Sequence, residues 1–173
     1  MKRWLAAIPV IALLLFAGLA LSQLLSPQKG DFERISRAAP DRLFPALDGE
    51  TLTFTPPPGD QNIVVNLFAS WCAPCEAEHP RLMELSDAFP GRIYGVLYKD
   101  TIENGAGFLE RMGNPFTRVA VDADGQGGLD FGLTGVPETF VISSNGEILV
   151  HITGPLGDDD VREVRGALNA PRD

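Results

Sequence analysis

The sequence predicts an α/β fold, a central mixed β-sheet flanked by helices, carried behind an N-terminal transmembrane anchor. Three observations predict it. From residue 63 onward, strand-like and helix-like patterns alternate, the order expected of a sheet with helices packed on its faces. The only two cysteines, Cys72 and Cys75, stand where the first buried-type strand of that series gives way to its first helix. At the start, Met1-Lys2-Arg3-Trp4 is followed by 21 residues without a charge, Leu5 to Leu25, about enough at a helical rise to cross a bilayer.

Residues 1–25 are therefore expected to be a signal anchor, 26–45 a linker leading into the domain, and 46–173 the α/β domain. Lys2 and Arg3 ahead of the apolar stretch place the N-terminus in the cytoplasm and everything after Leu25 on the far side. The competing reading is a cleaved signal peptide, since Ala17, Gly18, Ala20 and Ser22 lie toward the end of the stretch. The stretch is longer than a typical signal core, and no clean small-x-small site precedes a polar start, so a retained anchor is favoured. Either way the cysteine pair lies outside the cytoplasm.

Ser26-Pro27-Gln28-Lys29-Gly30 ends the apolar stretch, and Ala39-Pro40 and Phe44-Pro45 limit regular structure before a turn at Leu47-Asp48-Gly49-Glu50. Thr51 to Thr55 alternates as a short strand and stops at Pro56-Pro57-Pro58-Gly59. Ile63 to Phe68 is a buried-type strand, and residues 72–89 form a helix in which Pro80 is expected to cause a kink. Ile93 to Tyr98 is a second strand, Ile102 to Met112 a helix, Val119 to Val121 a strand and Gln126 to Phe131 a short helix. Glu138 to Ile142 and Ile148 to Ile152 are strands around an Asn145-Gly146 hairpin turn. Asp158 to Leu168 closes the chain as a helix with acids in its first turn.

At 173 residues the chain holds one ordinary domain plus an appendage. Without Lys2 and Arg3 its 14 basic side chains become 12, against 23 acidic ones, a net charge of −11 beyond the anchor. That argues against a nucleic-acid partner; the acidic surface reads as a solubility device.

Trp71-Cys72-Ala73-Pro74-Cys75 reads as a redox dithiol. With a helix starting at Cys72, unpaired N–H groups and the positive dipole end face the first sulfur and favour thiolate, the nucleophilic form. Cys75 lies one turn along the same face, within reach of a disulfide, and Pro74 costs nothing in a first turn whose N–H groups lack intrahelical partners. A purely structural disulfide would close a tiny loop, where the entropic gain is smallest. A zinc site would need about four ligands, and only His79 and His151 could join the cysteines, far from finger spacing. His79 reads as a helix-surface or packing residue and His151 as a partly buried strand residue. Asp122-Ala123-Asp124-Gly125 resembles the opening of a calcium loop, but position 12 of that loop is Leu133, so it reads as a turn.

The element order is that of a thioredoxin-like fold. Within it, the segment Asn66 to Pro80, with Trp71-Cys72-Ala73-Pro74-Cys75 at its centre, resembles the active-site segment of the membrane-anchored CcmG/DsbE family of cytochrome c maturation. Gly95-Val96-Leu97-Tyr98-Lys99-Asp100, Gly113-Asn114-Pro115-Phe116 and Gly135-Val136-Pro137-Glu138-Thr139-Phe140-Val141-Ile142 resemble that family's later blocks in order, over roughly residues 40 to 155. The resemblance implies a cis Val136-Pro137 peptide opposite the dithiol, presenting a backbone edge to substrate. It also implies that Glu78, three residues beyond Cys75, is the family's active-site glutamate, exchanging the proton of Cys75. Glu138, after the cis proline, is a second acid expected near the sulfurs. Such carboxylates oppose thiolate formation at Cys72 and predict a reducing poise. Glu76 reads as a solvated first-turn acid, and the same reading is the alternative for Glu78. Asn66 stands six residues before Cys72, where thioredoxin places a buried aspartate, which leaves Glu78 as the better base. Phe68 stands where the family often has a second tryptophan.

By the same resemblance the chain is expected to be a protein-disulfide reductase in which Cys72 attacks a substrate disulfide and Cys75 resolves the mixed disulfide, with Trp71, Pro74, Glu78, Pro137 and Glu138 in support. The implied substrate is the haem-attachment cysteine pair of apocytochrome c, or a maturation thiol protein holding it. A membrane thiol reductase of the DsbD/CcdA kind is the implied electron donor. No organic cofactor and no metal is expected. The implied location is the bacterial inner membrane, single-pass, with the domain in the periplasm. A general periplasmic disulfide oxidant or isomerase, and a non-redox anchored binding domain, are the alternative classes.

Overall fold

The computed structural model describes residues 8–25, 31–33 and 37–170. Its elements in chain order are α1 (Ile8–Leu25), β1 (Asp31–Glu33), β2 (Arg37–Ala38), β3 (Phe44–Pro45), β4 (Thr51–Leu52), β5 (Ile63–Phe68), α2 (Ala73–Ala88), β6 (Ile93–Tyr98), α3 (Ile102–Met112), β7 (Val119–Asp122), α4 (Gln126–Asp130), β8 (Glu138–Ile142), β9 (Glu147–Thr153) and α5 (Asp158–Leu168). The main sheet runs β1-β9-β8-β5-β6-β7, with β2 also on β9. β5, β6 and β7 are parallel, whereas β8 is antiparallel to both β5 and β9, so the sheet is mixed.

β5 lies in the middle of the sheet and all six of its residues are buried, which explains an uninterrupted apolar run where a half-solvated strand would alternate. Its side chains still sort by parity. Val64 and Phe68 join a core that holds Leu82 and Leu85 of α2, Val164 of α5 and both cysteines. Ile63, Val65 and Leu67 join the opposite core, with Phe44, Phe54, Phe131 and Phe140. The dithiol therefore belongs to one face of the sheet, the face covered by α2 and α5.

α2 continues through Pro80 and ends at Ala88. The hairpin turns at Asn145-Gly146, where Gly146 has φ +86° and donates its N–H to Ser143 O, as a two-residue turn requires. The segment 26–45, expected to be a linker, joins the domain's sheet from Asp31 onward, where β1 pairs with β9. β2 pairs with β9, β3 pairs with β4, and Ala39 and Phe44 are buried. Pro45 does not prevent this, because a proline at a two-stranded edge forfeits only its own ladder bond. The expected strand from Thr51 to Thr55 pairs only at Thr51–Leu52, and beyond it the Thr55 N–H donates to Thr53 Oγ1, a local bond that replaces the ladder.

Among the described residues no helix is long and apolar enough to cross a membrane. α1 has 18 residues, about 27 Å at the helical rise against a hydrocarbon core of about 30 Å. Leu5, Ala6 and Ala7, the start of the uncharged stretch, lie outside the described residues.

Candidate redox site

The site is built where β5 ends and α2 begins, and the loop after β6 braces it. Ser70 donates its backbone N–H to Asp100 Oδ2 at 2.7 Å, and Trp71 Nε1 donates to Lys99 O at 3.2 Å. Asp100 Oδ1 also accepts from Thr101 N and Asn104 Nδ2. Burial pushes the Asp100 carboxyl up, but these bonds, Ser70 foremost, outweigh it and hold its pKa below the ordinary value. An ionised carboxylate thus pins the backbone two residues before Cys72.

Cys72 is the N-cap of α2, in extended conformation, and its Sγ accepts the N–H of Cys75 at 3.1 Å. Cys72 and Cys75 are joined in a disulfide with Cα atoms 5.3 Å apart. The hydrogen bond satisfies one of the unpaired first-turn donors and would stabilise negative charge on Cys72 Sγ in the reduced protein. Both cysteines are buried, whereas Trp71 is 60 % exposed and projects beside them. Pro74 and Glu76 are exposed in the first turn.

Cys75, Glu78, His79, Leu82 and Leu85 form the buried stripe of α2. Glu78 lies about one turn below Cys75 on that stripe and is 1 % exposed. It is not a solvated first-turn acid. Oε1 accepts from Asn66 Nδ2 at 2.8 Å and Oε2 from Leu156 N at 2.9 Å. Burial raises its pKa to about 7; the bonds from Leu156 and Asn66 oppose that rise, and the negative charge of Asp160 adds to it. Asn66 Nδ2 also donates to Thr139 Oγ1 at 3.0 Å, so β5, α2 and β8 meet in one polar group under the dithiol.

The Val136-Pro137 peptide is cis, as the resemblance implies. Val136 packs against both cores, the one that contains both cysteines included, and Pro137 is buried with its carbonyl accepting from Gly154 N.

Glu138 departs from expectation. The first residue of β8, it pairs in register with Leu67, and Phe140, two residues on, lies in the core opposite the dithiol; side chains at i and i+2 share a face. Its carboxylate accepts from Thr134 N and Oγ1, from Gly135 N and, at 2.6 Å, from His151 Nε2. Burial pushes the Glu138 carboxyl up, but the bond from His151 and those from Thr134 and Gly135 bring its pKa below the ordinary value. It is a fixed anion that ties the loop before the cis proline to β9, and the structure does not bring it to the sulfurs. His151 stacks on Phe140, a structural placement.

His79 is buried rather than on the helix surface. Its ring meets Phe108 edge-on and Nε2 lies 3.0 Å from Gly113 O. Burial lowers its pKa, so the neutral ring donates from Nε2 and ties α2 to the end of α3. Asp122 accepts from the N–H groups of Gly127 and Gly128, a turn into α4 as read from the sequence. Thr139 and Asp100 were not expected at the site. Both stand in the quoted sequence blocks, but only the pairing of strands shows what they touch.

The family model described as Redoxin matches residues 35–168. The thiol:disulfide interchange protein HelX of Rhodobacter capsulatus is 40 % identical over 156 residues, covering 86 % of this chain and 88 % of that protein. The thiol:disulfide interchange protein DsbE of Escherichia coli K12 is 35 % identical over 169 residues, covering 90 % and 88 %. Among solved structures, a putative thiol:disulfide interchange protein DsbE from Chlorobium tepidum superposes with a TM-score of 0.64 at 24 % identity, over 82 % of this chain and 96 % of that one. That likeness bears on the fold, which is thioredoxin-like.

Proposed function

Because the chain belongs to the redoxin-type DsbE/CcmG family of thiol:disulfide interchange proteins, and so is a thiol:disulfide oxidoreductase, we propose that Cys72 and Cys75 run it as a reductase. The observation that carries this reading is the buried Glu78 one turn below Cys75 on the helix that Cys72 caps.

In the reduced protein the Cys72 thiolate attacks one sulfur of a substrate disulfide. A bond forms between Cys72 and that sulfur, the substrate S–S bond breaks, and the departing thiolate takes a proton. Glu78 takes the proton of Cys75, whose thiolate attacks Cys72 Sγ, releases the second substrate thiol and leaves the Cys72–Cys75 disulfide. Substrate has gained two electrons and the protein has lost two. The exchange itself calls for no organic cofactor. A carboxylate that shares its proton with Cys75 near neutral pH disfavours a permanent thiolate pair and keeps the potential low. Trp71 offers an exposed apolar face beside the sulfurs and the Val136-Pro137 segment offers a backbone edge.

The substrate we assign is the haem-attachment cysteine pair of apocytochrome c, or a maturation thiol protein holding it. A membrane thiol reductase restores the dithiol. The chain sits in the bacterial inner membrane through its uncharged N-terminal stretch, with the domain in the periplasm; Lys2 and Arg3 support that orientation.

The test is the equilibrium reduction potential of the full chain against glutathione or thioredoxin. A value near or below about −200 mV supports a dedicated reductase, and one near about −120 mV makes disulfide donation the function instead. A Cys72→Ser, Cys75→Ser double variant is expected to fail in complementation of cytochrome c maturation; full complementation would point to a non-redox binding role.

A further inference from the structure

Asn66 is fully buried on β5, and its Oδ1 has no hydrogen-bond partner among the described residues. The other end of the same amide is doubly engaged, with Nδ2 donating to Glu78 Oε1 at 2.8 Å and to Thr139 Oγ1 at 3.0 Å. Buried polar atoms are rarely left unpaired, so the asymmetry calls for an explanation.

The neighbours of Glu78 supply one. In the arrangement seen, Glu78 receives only donors: Asn66 Nδ2 on Oε1 and the Leu156 N–H on Oε2. That suits a carboxylate. A protonated Glu78 carries an O–H that needs an acceptor, and neither an amide N–H nor an NH2 group can accept. Rotating the Asn66 amide by half a turn exchanges its two ends, placing Oδ1 against Glu78 Oε1 and Thr139 Oγ1. There it accepts from the carboxylic acid and from the Thr139 hydroxyl, which serves equally as donor or acceptor. The end with no partner holds the amide in neither orientation. Facing Glu78 are Cys75 from its own helix and Asp160 from α5, whose negative charge favours the protonated form. His79 is engaged by Gly113 O, and Glu138 and His151 satisfy each other.

We propose that Asn66 is a positioning residue for the Glu78 proton, its amide reversing as Glu78 gains or loses that proton, donating to the carboxylate and accepting from the acid. One side chain thereby solvates both forms of a buried carboxyl without itself titrating, which an aliphatic residue at position 66 would not do. A pKa near 7 for Glu78 puts the reversal in the physiological range. Its use in turnover rests on the reading of Glu78 as the proton partner of Cys75; the reversal itself does not.

The experiment is NMR on the oxidised, isotope-labelled full chain in detergent micelles from about pH 5 to about pH 9. The Asn66 Nδ2 protons and the Glu78 carboxyl carbon are expected to follow one titration curve. Nuclear Overhauser contacts from the Nδ2 protons to the Thr139 methyl group are expected at high pH and lost at low pH. Glu78→Gln is expected to abolish the pH dependence. Contacts unchanged across the titration, a Glu78 carboxyl that does not titrate in this range, or an Asn66 titration that survives Glu78→Gln would each overturn the proposal. None of these signals needs a substrate, so their failure leaves the reductase reading standing, whereas a potential near about −120 mV overturns that reading without touching the amide.

Discussion

Glu78 sets the sign of the stability–pH curve between acid and neutral. Its folded pKa is about 7 against an ordinary 4.5, so the folded chain holds the proton and the unfolded chain releases it first. The stabilisation is complete below about pH 4.5 and is lost as pH rises through about 7, a total of about 3 kcal/mol. Glu138, Asp100 and His79 act in the opposite sense, because their folded pKa values are depressed; the contribution of the two carboxylates is present above the ordinary carboxylate range and lost in acid, and that of the buried neutral His79 is lost as pH falls below its ordinary value of 6.5. Urea unfolding of the oxidised protein is therefore expected to give a midpoint that falls from about pH 5 to about pH 7.5, and Glu78→Gln is expected to flatten it; an unchanged slope in the variant would remove Glu78 as the cause. The sulfurs carry a second expectation at this scale. Cys72 is the helix cap and Cys75 the deeper residue, 5 % and 2 % exposed. Cys75→Ser is expected to accumulate a mixed disulfide through Cys72 when offered a disulfide substrate, and Cys72→Ser is not. Non-reducing electrophoresis reads both, and trapping by the second variant would reverse the assigned order of attack.

The same substitution has opposite effects in two helices. Gly105 on α3 lies over Leu97 of β6, and a Cβ there would stand 2.4 Å from Leu97 Cδ2 and 2.9 Å from Cδ1. Alanine gains about 1 kcal/mol of helix propensity, but Leu97 is fully buried and overpacking a closed core costs about 1–3 kcal/mol. Gly105→Ala should therefore destabilise the domain. Gly166 on α5 is exposed, and a Cβ there meets nothing within 4 Å, so Gly166→Ala keeps the propensity gain and should stabilise by about 0.5–1 kcal/mol. Thermal unfolding of the two variants checks both signs. Legibility at this scale followed the range of the interactions. From Ile63 onward the strands and helices could be read, because burial of β5 and the one-sided patterns of α3 and α5 are local properties of the chain. β2 and β3 could not, since each is only two residues long and exists only through its pairing, β2 with the distant β9 and β3 with β4 across a turn. At the site, the dithiol and Glu78 lie on one helix and share a face by spacing alone. Thr139 reaches Asn66 across strands, and Glu138 falls on the far face because the sheet alternates at every residue; neither placement is fixed until the register of β8 against β5 is known.

The whole molecule divides into a domain with two closed cores and a helix without one. Core residues run from Ala39 to Leu168, whereas Leu13, Leu14, Leu15, Phe16, Leu19 and Leu21 of α1 are all more than half exposed. Apolar surface left in water costs roughly 25 cal/mol per Å², and a contiguous apolar helix has no reason to remain there when a bilayer is available. On the proposed reading, the 21 uncharged residues of the sequence would be of spanning length, and the basic pair before them would orient the span. Full-length protein expressed in a bacterium is accordingly expected to stay with the membrane fraction through an alkaline wash, with its N-terminal residues intact by mass spectrometry. Release into the soluble periplasmic fraction with a new N-terminus near Ser22 would identify the stretch as a cleaved signal peptide. The distinction bears on function, because a retained span would hold the dithiol beside the proposed membrane electron donor at a high effective concentration. Replacing residues 1–25 by a cleavable export signal should then lower the fraction of Cys72–Cys75 kept reduced in the cell, as read by thiol alkylation, while leaving the reduction potential unchanged. An equally reduced pool in both forms would mean that the donor reaches the domain without help from the anchor.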